Sequence, residues 1–440
     1  MTLQSHPVRV RRLTLLAAAL LFIMAASLSV TPGAEAKRLW VDPAGGSDAR
    51  SGASPARALR TLDRAWRIAR PGARITVTGS LGVSQVPNYY ELKRGVTIEG
   101  LGRRLASGRR AAVSLPALNI YGVRSLSLIG LTVRGDVHCE KCRGFTMRRI
   151  RVLGRGRVQE GVKINQSSRV LIERSDISGA SDNSIDFVAV QHATIRYNRI
   201  HAAEDWCAYV KGGSAYVNVY GNRIYKCGTG GFTASQGTGL QFMTFPWIRY
   251  EAYGVRVWNN LVHDTEGAGL GVNGAFNVLM ARNTLLRVGQ RSHALEAVFG
   301  SRSCDGRPGD EGRDACQSYL TRGGWGTTVV DDGTNYARIP NRHVYFIDNV
   351  ILKAPGSETI STQEPWPEQP AGAVGPEPAR TDDDLRLLGN VVSTTHRGSG
   401  GAHALPVFDW ADAGLGAPAP ARLGHSGLPS MPRRAGSSLR

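Results

Sequence analysis

Apolar residues alternate with polar residues in eight short segments between residues 126 and 351. Each segment has two apolar residues at alternate positions, then a small or polar residue, and then a further apolar residue two positions on. The segments begin at Leu126, Phe145, Val170, Ala193, Val217, Val255, Val278 and Val344. Alternation with a period of two predicts β-strands, because successive side chains of a strand point to opposite faces.

The segments recur at a regular distance. Four of the seven spacings between their small or polar positions are nearly equal, and they match the length of one solenoid coil, which is roughly 20–25 residues. We therefore predict an all-β fold, a solenoid of single parallel strands wound into a β-helix. The polar position is often asparagine. We expect these asparagines to form a column at a bend, hydrogen-bonded to each other and tolerating the left-handed conformation.

The N-terminal end of the chain is typical of an exported protein. Residues 1–36 combine the basic residues Arg9, Arg11 and Arg12, an apolar run from Leu13 to Ala26 and the cleavage pattern Ala34-Glu35-Ala36, as in a secretory signal peptide. We therefore expect a periplasmic or extracellular protein with no transmembrane segment after signal removal.

The sequence divides the rest of the chain into two parts. We predict that residues 37–395 form the β-helix and that residues 396–440 form an irregular C-terminal tail. Thr61 to Ala69 is amphipathic and is followed by Pro71-Gly72, which predicts one helix that covers the first coil.

All six cysteines lie after the predicted signal peptide, and an even number in an exported protein favours disulfides. Cys304 and Cys316 flank a polar loop and form the best candidate pair. Cys139-x-x-Cys142 matches a redox motif or half of a metal site, but no second CxxC accompanies it. We interpret it as a structural bridge.

The chain has a net charge of +19, and 47 of its 54 basic residues are arginine. A surplus of positive charge attracts anions, so nucleic acid, an anionic polysaccharide or a membrane surface would each be a suitable partner. For an exported β-helix we predict an anionic polysaccharide as partner, no nucleic acid, and a monomeric state.

Acidic side chains coincide with the coil period. Glu160, Asp182 and Asp205 follow one another at almost one period each, so adjacent coils place them nearly above one another. Their repulsion across about 4.8 Å must be offset, and a divalent cation with oxygen ligands does this. We predict a Ca²⁺ site with the ligands Glu160, Asp182, Asp186, Glu204 and Asp205. The alternative is a salt-bridged surface in which Lys163 and Lys211 neutralise the acids.

Lys211 follows Val188 by one coil period and Asn165 by two, so it belongs to the same predicted region. Lysine can lose its proton when it is partly desolvated, whereas arginine cannot, so Lys211 is the candidate general base. The following Gly212-Gly213 would let a ligand approach the backbone. The alternative is a tight turn with a solvated lysine.

An irregular segment, 232–253, breaks the coil period and carries aromatic and charged residues. Arginine binds carboxylates in a fork, and sugar rings stack on aromatic faces. Arg249 and Glu251 are therefore further catalytic candidates. The predicted substrate-binding residues are Trp206, Tyr209, Trp247, Tyr250 and His263. An aromatic mini-core that closes the loop is the alternative.

The stretches YVKGGSAYVNVYGNRIYKCGTGG and RYEAYGVRVWNNLV resemble secreted right-handed parallel β-helix proteins of the pectate-lyase type, over residues 38–395. The chain also resembles, more weakly, the polysaccharide lyase family of chondroitinase B and alginate lyases. That family has an acidic calcium site a few residues before a catalytic lysine, which Glu204 and Lys211 match. The family's second acidic ligand falls on Trp206, and its arginine region reads GFTASQG here.

The resemblance implies a right-handed helix and a carbohydrate-active protein. We favour a lyase that cleaves a uronate-containing polysaccharide by β-elimination, with Lys211 as the base and Ca²⁺ as the cation. Two alternatives stay open. One is a glycoside hydrolase that uses two of Asp182, Asp186, Asp205 and Glu251, and the other is a non-catalytic protein that binds glycans or the cell envelope.

Overall fold

A computed structural model describes residues 38–244, 248–303, 329–331, 336–362 and 382–394, together with two short strands at 422–423 and 429–430. The predicted signal peptide and the predicted Cys304–Cys316 pair lie outside the described residues, as does the predicted tail apart from those two strands. In the described residues, no helix has the length and apolar character needed to cross a membrane.

Short strands dominate the part of the chain that the structure describes. Its helices are α1 (Leu62–Ile68) and three short 3₁₀ turns at Pro55–Arg57, Val83–Gln85 and Leu240–Phe242. The first strands are β1 Arg38–Val41, β2 Arg74–Val77, β3 Tyr90–Glu91, β4 Thr97–Gly100, β5 Ser114–Tyr121, β6 Arg124–Ile129, β7 Thr132–Glu140, β8 Arg143–Arg148, β9 Arg151–Val158, β10 Val162–Asn165, β11 Ser168–Glu173 and β12 Asp176–Ala180. There follow β13 Ile185–Val188, β14 Gln191–Arg196, β15 Arg199–Ala203, β16 Trp206–Lys211, β17 Ser214–Tyr220, β18 Arg223–Cys227, β19 Gly230–Ala234, β20 Gly237–Gly239, β21 Ala252–Tyr253, β22 Arg256–Trp258, β23 Leu261–Thr265 and β24 Ala268–Asn273. The last are β25 Ala275–Ala281, β26 Thr284–Val288, β27 His293–Val298, β28 Gly300–Ser303, β29 Val329–Asp331, β30 Tyr336–Ile339, β31 Asn341–Ile347, β32 Val350–Lys353, β33 Glu358–Thr362, β34 Asp382–Leu388, β35 Val391–Thr394, β36 Arg422–Leu423 and β37 Pro429–Ser430.

Each coil contributes three strands, and equivalent strands of successive coils pair in parallel. We define face 1 as β10, β13, β16, β19, β24, β27 and β33. Face 2 consists of β6, β8, β11, β14, β17, β21 with β22, β25, β31 and β34, and face 3 of β12, β15, β18, β23, β26, β32 and β35. The predicted parallel β-helix is confirmed, and the first apolar pair of each alternating segment lies on face 2, before the bend that leads to the next strand.

The core is a column of apolar side chains inside the coils. On face 1, Val162, Ile185 and Ala208 are register partners on successive strands, as are Ile164 and Phe187, and all five are fully buried. Each buried aliphatic or aromatic side chain contributes about 1.5–3 kcal/mol to stability. The side chains between them therefore point outward, and these positions carry the chemistry.

The predicted asparagine column lies at the bend between faces 2 and 3. In this asparagine ladder, the side-chain Nδ2 of each asparagine donates a hydrogen bond of 2.8–3.0 Å to Oδ1 of the asparagine on the following coil. The ladder runs from Asn198 through Asn222, Asn260, Asn283 and Asn349 to Asn390. The left-handed conformation belongs to the residue before each asparagine instead, as at Tyr197 and Asn259 (φ 55° and 53°). The preceding residue makes the reversal, so that the amide side chain can point into the turn.

The N-terminal end of the fold and the Cys139–Cys142 bridge agree with the sequence analysis. The predicted capping helix is α1, which buries Leu62, Ala65 and Trp66, and Thr61 Oγ1 accepts a hydrogen bond from the Arg64 amide at 3.1 Å. Cys139 and Cys142 are bonded to each other, which confirms the structural interpretation. A second disulfide joins Cys207 on β16 to Cys227 on β18 and ties face 1 to face 3.

Candidate active site

The outward side of face 1 carries a row of polar residues because adjacent coils stay in register. Lys163 on β10, Asp186 on β13 and Tyr209 on β16 are successive partners, as the coil period predicts. Two positions further along these strands, Val188 pairs with Asn165 below and with Lys211 above. The coil period therefore brings Asp186, Tyr209 and both lysines to one surface.

Lys163 is held between two carboxylates. Its Nζ lies 2.5 Å from Oε1 of Glu160 and 3.0 Å from Oδ2 of Asp186, whose side chain is 1% exposed. Burial alone lowers the pKa of Lys163, but the charge of Asp186 and the hydrogen bonds to both acids outweigh it, so the pKa is raised. Lys163 thus stays charged and serves as a fixed cation, not as a base.

Tyr209 connects this ion pair to Lys211. Burial, followed by the charges of Asp186 and Asp182, raises the pKa of the Tyr209 phenol far above its ordinary range, and the phenol hydrogen-bonds to Asp186. The hydroxyl therefore stays neutral and donates to the carboxylate. On the ring face, Nζ of Lys211 lies 4.3 Å from the ring centroid, within the range of a cation–π contact.

The backbone after Lys211 forms a tight left-handed turn. Gly212 and Gly213 have φ of 70° and 82°, and a Cβ on Gly212 would lie 2.7 Å from Cγ1 of Val188. The Gly212 amide donates to Oε2 of Glu251 at 2.9 Å, and the Gly213 amide donates to the carbonyl of Glu251 at the same distance. The Lys211 side chain is half-buried, and its Nζ lies 3.4 Å from Oε1 of Gln236.

Glu251, predicted as a catalytic residue, is fully buried, and Thr238 Oγ1 donates to it at 2.9 Å. The structure therefore gives its carboxylate the role of fixing the Lys211 turn. Trp206, Tyr209 and Tyr250, predicted to bind substrate, are also buried. The Trp206 ring lies where a Cβ on Gly230 would stand and packs with Tyr209, while Tyr250 packs against Phe276 with ring centroids 5.2 Å apart.

The other predicted substrate-binding residues are dispersed. Trp247 lies outside the described residues, and Arg249 is half-buried two positions before Glu251. His263 lies on face 3, where its ring stacks on Tyr225 at 4.8 Å, and burial lowers its pKa. The structure thus does not bring His263 to the same face as Lys211.

The acidic cluster lies in the turns that lead into face 1. Gln159, Asp182 and Asp205 lie above one another on successive coils. The Asp182 amide donates to the Gln159 carbonyl, and the Asp205 amide donates to the Asp182 carbonyl. Burial, then the charges of Asp205 and Glu160, raises the pKa of Asp182, and its carboxyl shares a hydrogen bond with Asp205. Glu204 is exposed beside them.

The sequence predicts that this acidic cluster binds Ca²⁺. Among the described residues, no three His, Cys, Asp or Glu side chains are grouped so as to hold a metal ion. The ammonium of Lys163 already bridges Glu160 and Asp186. These residues therefore do not form a suitable ligand set in this structure, and calcium stays a prediction.

We expect the Asp182→Asn variant to be more stable than the wild type at neutral pH. The raised pKa means that ionisation of Asp182 costs more in the folded than in the unfolded chain. The gain should therefore grow as pH rises above the ordinary carboxyl pKa of about 4 and vanish below it. Thermal unfolding at about pH 3 and at about pH 8, which lie below and well above the ordinary carboxyl pKa, measures it in the presence of EDTA.

The exposed Glu91→Gln on β3 is the control, and a pH-independent gain would contradict the assignment. Repeating the series with Ca²⁺ tests the cation. If Ca²⁺ stabilises the wild type but not Asp182→Asn, the cluster holds the ion as the sequence predicts.

The polar row continues beyond the predicted residues. Thr233 Oγ1 donates to Oδ1 of Asn273 at 2.6 Å, and Nδ2 of Asn273 donates to Oε1 of Glu296 at 2.8 Å. Below Lys163, its register partner His138 lies 3.4 Å from Asn165. The coil register would have identified His138, whereas Gln236 lies within the irregular segment 232–253 and Asn273 comes after it, where the spacing has shifted.

Comparison with known proteins supports the fold. A family model described as "Right handed beta helix region" matches residues 135–302. This region is a right-handed parallel β-helix. The matched residues include the whole row from His138 to Glu296. No protein of curated function matches the sequence.

Several solved structures are similar to this chain at low identity. The A-module of the mannuronan C-5 epimerase AlgE6 of Azotobacter vinelandii is 13% identical over 87% of this chain and 91% of that chain, with a TM-score of 0.43. The periplasmic alginate epimerase AlgG is 12% identical over 74% and 71%, with a TM-score of 0.42. An alginate lyase from Paenibacillus sp. str. FPU-7 is 12% identical over 76% and 92%, with a TM-score of 0.38.

Proposed function

We propose that the protein is an exported carbohydrate-active enzyme, a polysaccharide lyase that cleaves a uronate-containing chain on face 1. The observation that supports it is the connected row Lys163–Asp186–Tyr209–Lys211 on the outward side of face 1, in which Asp186 and Tyr209 are buried and both lysines are half-buried. Two disulfides are typical of an oxidising compartment, which fits the predicted export.

In this proposal Lys211 removes the proton from C5 of a uronate residue. The electrons of the C5–H bond form the C4=C5 double bond, the C4–O bond breaks, and the leaving oxygen takes a proton from solvent or from the Lys211 ammonium. As the amine takes up this proton it becomes an ammonium, and the face of Tyr209, 4.3 Å away, stabilises the new positive charge.

The other residues of the site position these groups. Asp186 accepts a hydrogen bond from the Tyr209 hydroxyl and so keeps the ring in place, while Lys163 balances the charge of Asp186. Glu251 fixes the turn that carries Lys211. Arg249, two residues before Glu251, is the proposed partner of the uronate carboxylate, whose neutralisation makes the C5 proton more acidic.

The same contacts argue against the alternative hydrolase pairs. A glycoside hydrolase needs two carboxyl groups about 5–10 Å apart across the substrate. Asp182 and Asp205 share a hydrogen bond, Asp186 is ion-paired with Lys163, and Glu251 is buried. The proposal of a lyase therefore requires fewer rearrangements than that of a hydrolase.

The test is incubation of the purified protein with pectate, alginate and chondroitin sulfate while the ultraviolet absorbance of the unsaturated product is followed. We expect absorbance to grow with one of these polymers. New reducing ends without this absorbance would select the hydrolase, and binding without turnover would select the non-catalytic protein. Either result would overturn the lyase.

A further inference from the structure

A second groove lies on face 2, away from the row that contains Lys211. Its floor is formed by Thr194, Asn218 and Arg256, which are register partners on β14, β17 and β22. Two adjoining cavities of about 420 and 690 Å³ share Asn218 and Arg256. Each is within the range of about 300–1,000 Å³ that is usual for small-molecule sites.

One margin of this groove carries a flat aromatic surface. Tyr197 adopts the left-handed conformation (φ 55°), and its equivalent on the next coil is Gly221. A Cβ on Gly221 would lie 2.6 Å from Cδ1 of Tyr197, so the ring occupies the space that a side chain would fill. The ring thus lies along the next coil, and the residue is 53% exposed.

The opposite margin repeats the arrangement. Tyr216 is also left-handed (φ 56°), its equivalent on the next coil is Gly254, and the Tyr216 ring lies 3.5 Å from the position of a Cβ there. Tyr216 is 48% exposed and stacks on His192 at 4.9 Å. Two exposed tyrosines, each placed over a glycine, therefore border one polar floor.

The floor offers one unpaired cation. Arg256 is exposed, and no carboxylate among the described residues pairs with it. On the preceding coils of the same face, Arg196 is instead paired with Glu173. The guanidinium of Arg256 is therefore available for a ligand, and its fork matches a carboxylate or a sulfate.

We infer that this groove binds a segment of an acidic oligosaccharide. The C–H face of a sugar ring fits an exposed tyrosine, its hydroxyls fit Asn218 and Thr194, and its acid group fits Arg256. A nucleic acid would need several cations along its phosphates, whereas Arg256 is the sole charged residue among the described residues that line the two cavities. The identity of the acid as a uronate rests on the proposed function, but the site does not.

The experiment measures binding of oligogalacturonate, oligomannuronate and a chondroitin sulfate hexasaccharide, with maltohexaose and oligo(dT) as comparisons. The Lys211→Met variant is the parent, so that no ligand is consumed. Tryptophan fluorescence reports binding, because Trp258 lines the groove. Trp258→Phe keeps a ring there but should remove the part of the signal that arises at face 2.

We expect one acidic oligosaccharide to bind and its affinity to fall about tenfold in Arg256→Gln, the loss of one hydrogen bond to a charged group. Tyr197→Gly and Tyr216→Gly should weaken binding similarly. Glycine suits their left-handed backbone, so these variants should fold. Arg143→Gln, on β8 of the same face and exposed, is the matched control and should bind like the parent.

Equal affinity in Arg256→Gln and the parent, a preference for maltohexaose, or tighter binding of oligo(dT) would each overturn the inference. Its failure is distinguishable from that of the lyase proposal. Groove variants that bind normally in an active lyase contradict only this site, whereas the expected binding pattern in a protein without lyase activity contradicts only the proposed function.

Discussion

The Lys211→Met variant should lose lyase activity by a factor of about 10²–10⁴, the usual contribution of a general base. Methionine keeps the length and the apolar stem of lysine but cannot accept a proton. The turn after residue 211 is held by hydrogen bonds from the Gly212 and Gly213 amides to Glu251, which do not involve the lysine amine. The loss should therefore appear in kcat at unchanged thermal stability.

Lys226→Met provides the matched control, because Lys226 is an exposed lysine on β18 of face 3. It should retain wild-type activity. Full activity in Lys211→Met would remove this residue from the mechanism and leave the base unassigned. Equal losses in both variants would indicate a general effect of positive charge on substrate attraction.

The Asn260→Ala variant should be the most destabilised single substitution that we predict. Oδ1 of Asn260 accepts from the backbone amide and Nδ2 of Asn222, both at 3.0 Å, and its Nδ2 donates to the Val219 carbonyl at 3.0 Å and to Asn283 at 2.9 Å. Alanine leaves several of these buried groups without a partner. We expect a loss of about 3–5 kcal/mol, since each unsatisfied buried group costs about 1–3 kcal/mol.

Denaturant unfolding followed by circular dichroism measures this loss as a lower midpoint. Asn88→Ala, at an exposed asparagine outside the ladder, should change stability by no more than about 0.5 kcal/mol. If both variants unfolded at the same denaturant concentration, the ladder would contribute no stability beyond that of an ordinary surface amide.

The arrangement of face 1 also explains why a β-helix suits the proposed lyase reaction. Parallel register fixes Lys163, Asp186 and Tyr209 at a constant separation along the axis without any loop. The apolar side chains of the same strands are buried in the core and keep these strands in position. A site built on rigid strands costs little ordering when substrate binds.

The sequence alone determined the scaffold. The alternation of apolar residues predicted the strands with which the eight segments begin on face 2. The amphipathic pattern from Thr61 to Ala69 predicted the capping helix, and the asparagine positions predicted the ladder. The coil period also predicted the pairing of Lys163 with Asp186 and the column from Asn165 to Lys211. These features depend on local periodicity and on stacking of similar coils, which a sequence displays directly.

Only the tertiary structure decided which side chains remain accessible. Tyr250 and Glu251 are buried within the irregular segment 232–253, whereas Trp206 is buried because Gly230 and Gly271 of the following coils leave room for its ring. His263 lies three residues after the ladder residue Asn260, on the strand that follows the bend, and this strand belongs to face 3. Lys211 is separated from its ladder residue, Asn198, by the whole of strand β15, and therefore lies on the next strand, on face 1. The groove on face 2 depends on tyrosines that cover glycines of the next coil. Such contacts are set by the register between distant residues and by the path of an irregular loop, and neither follows from local pattern.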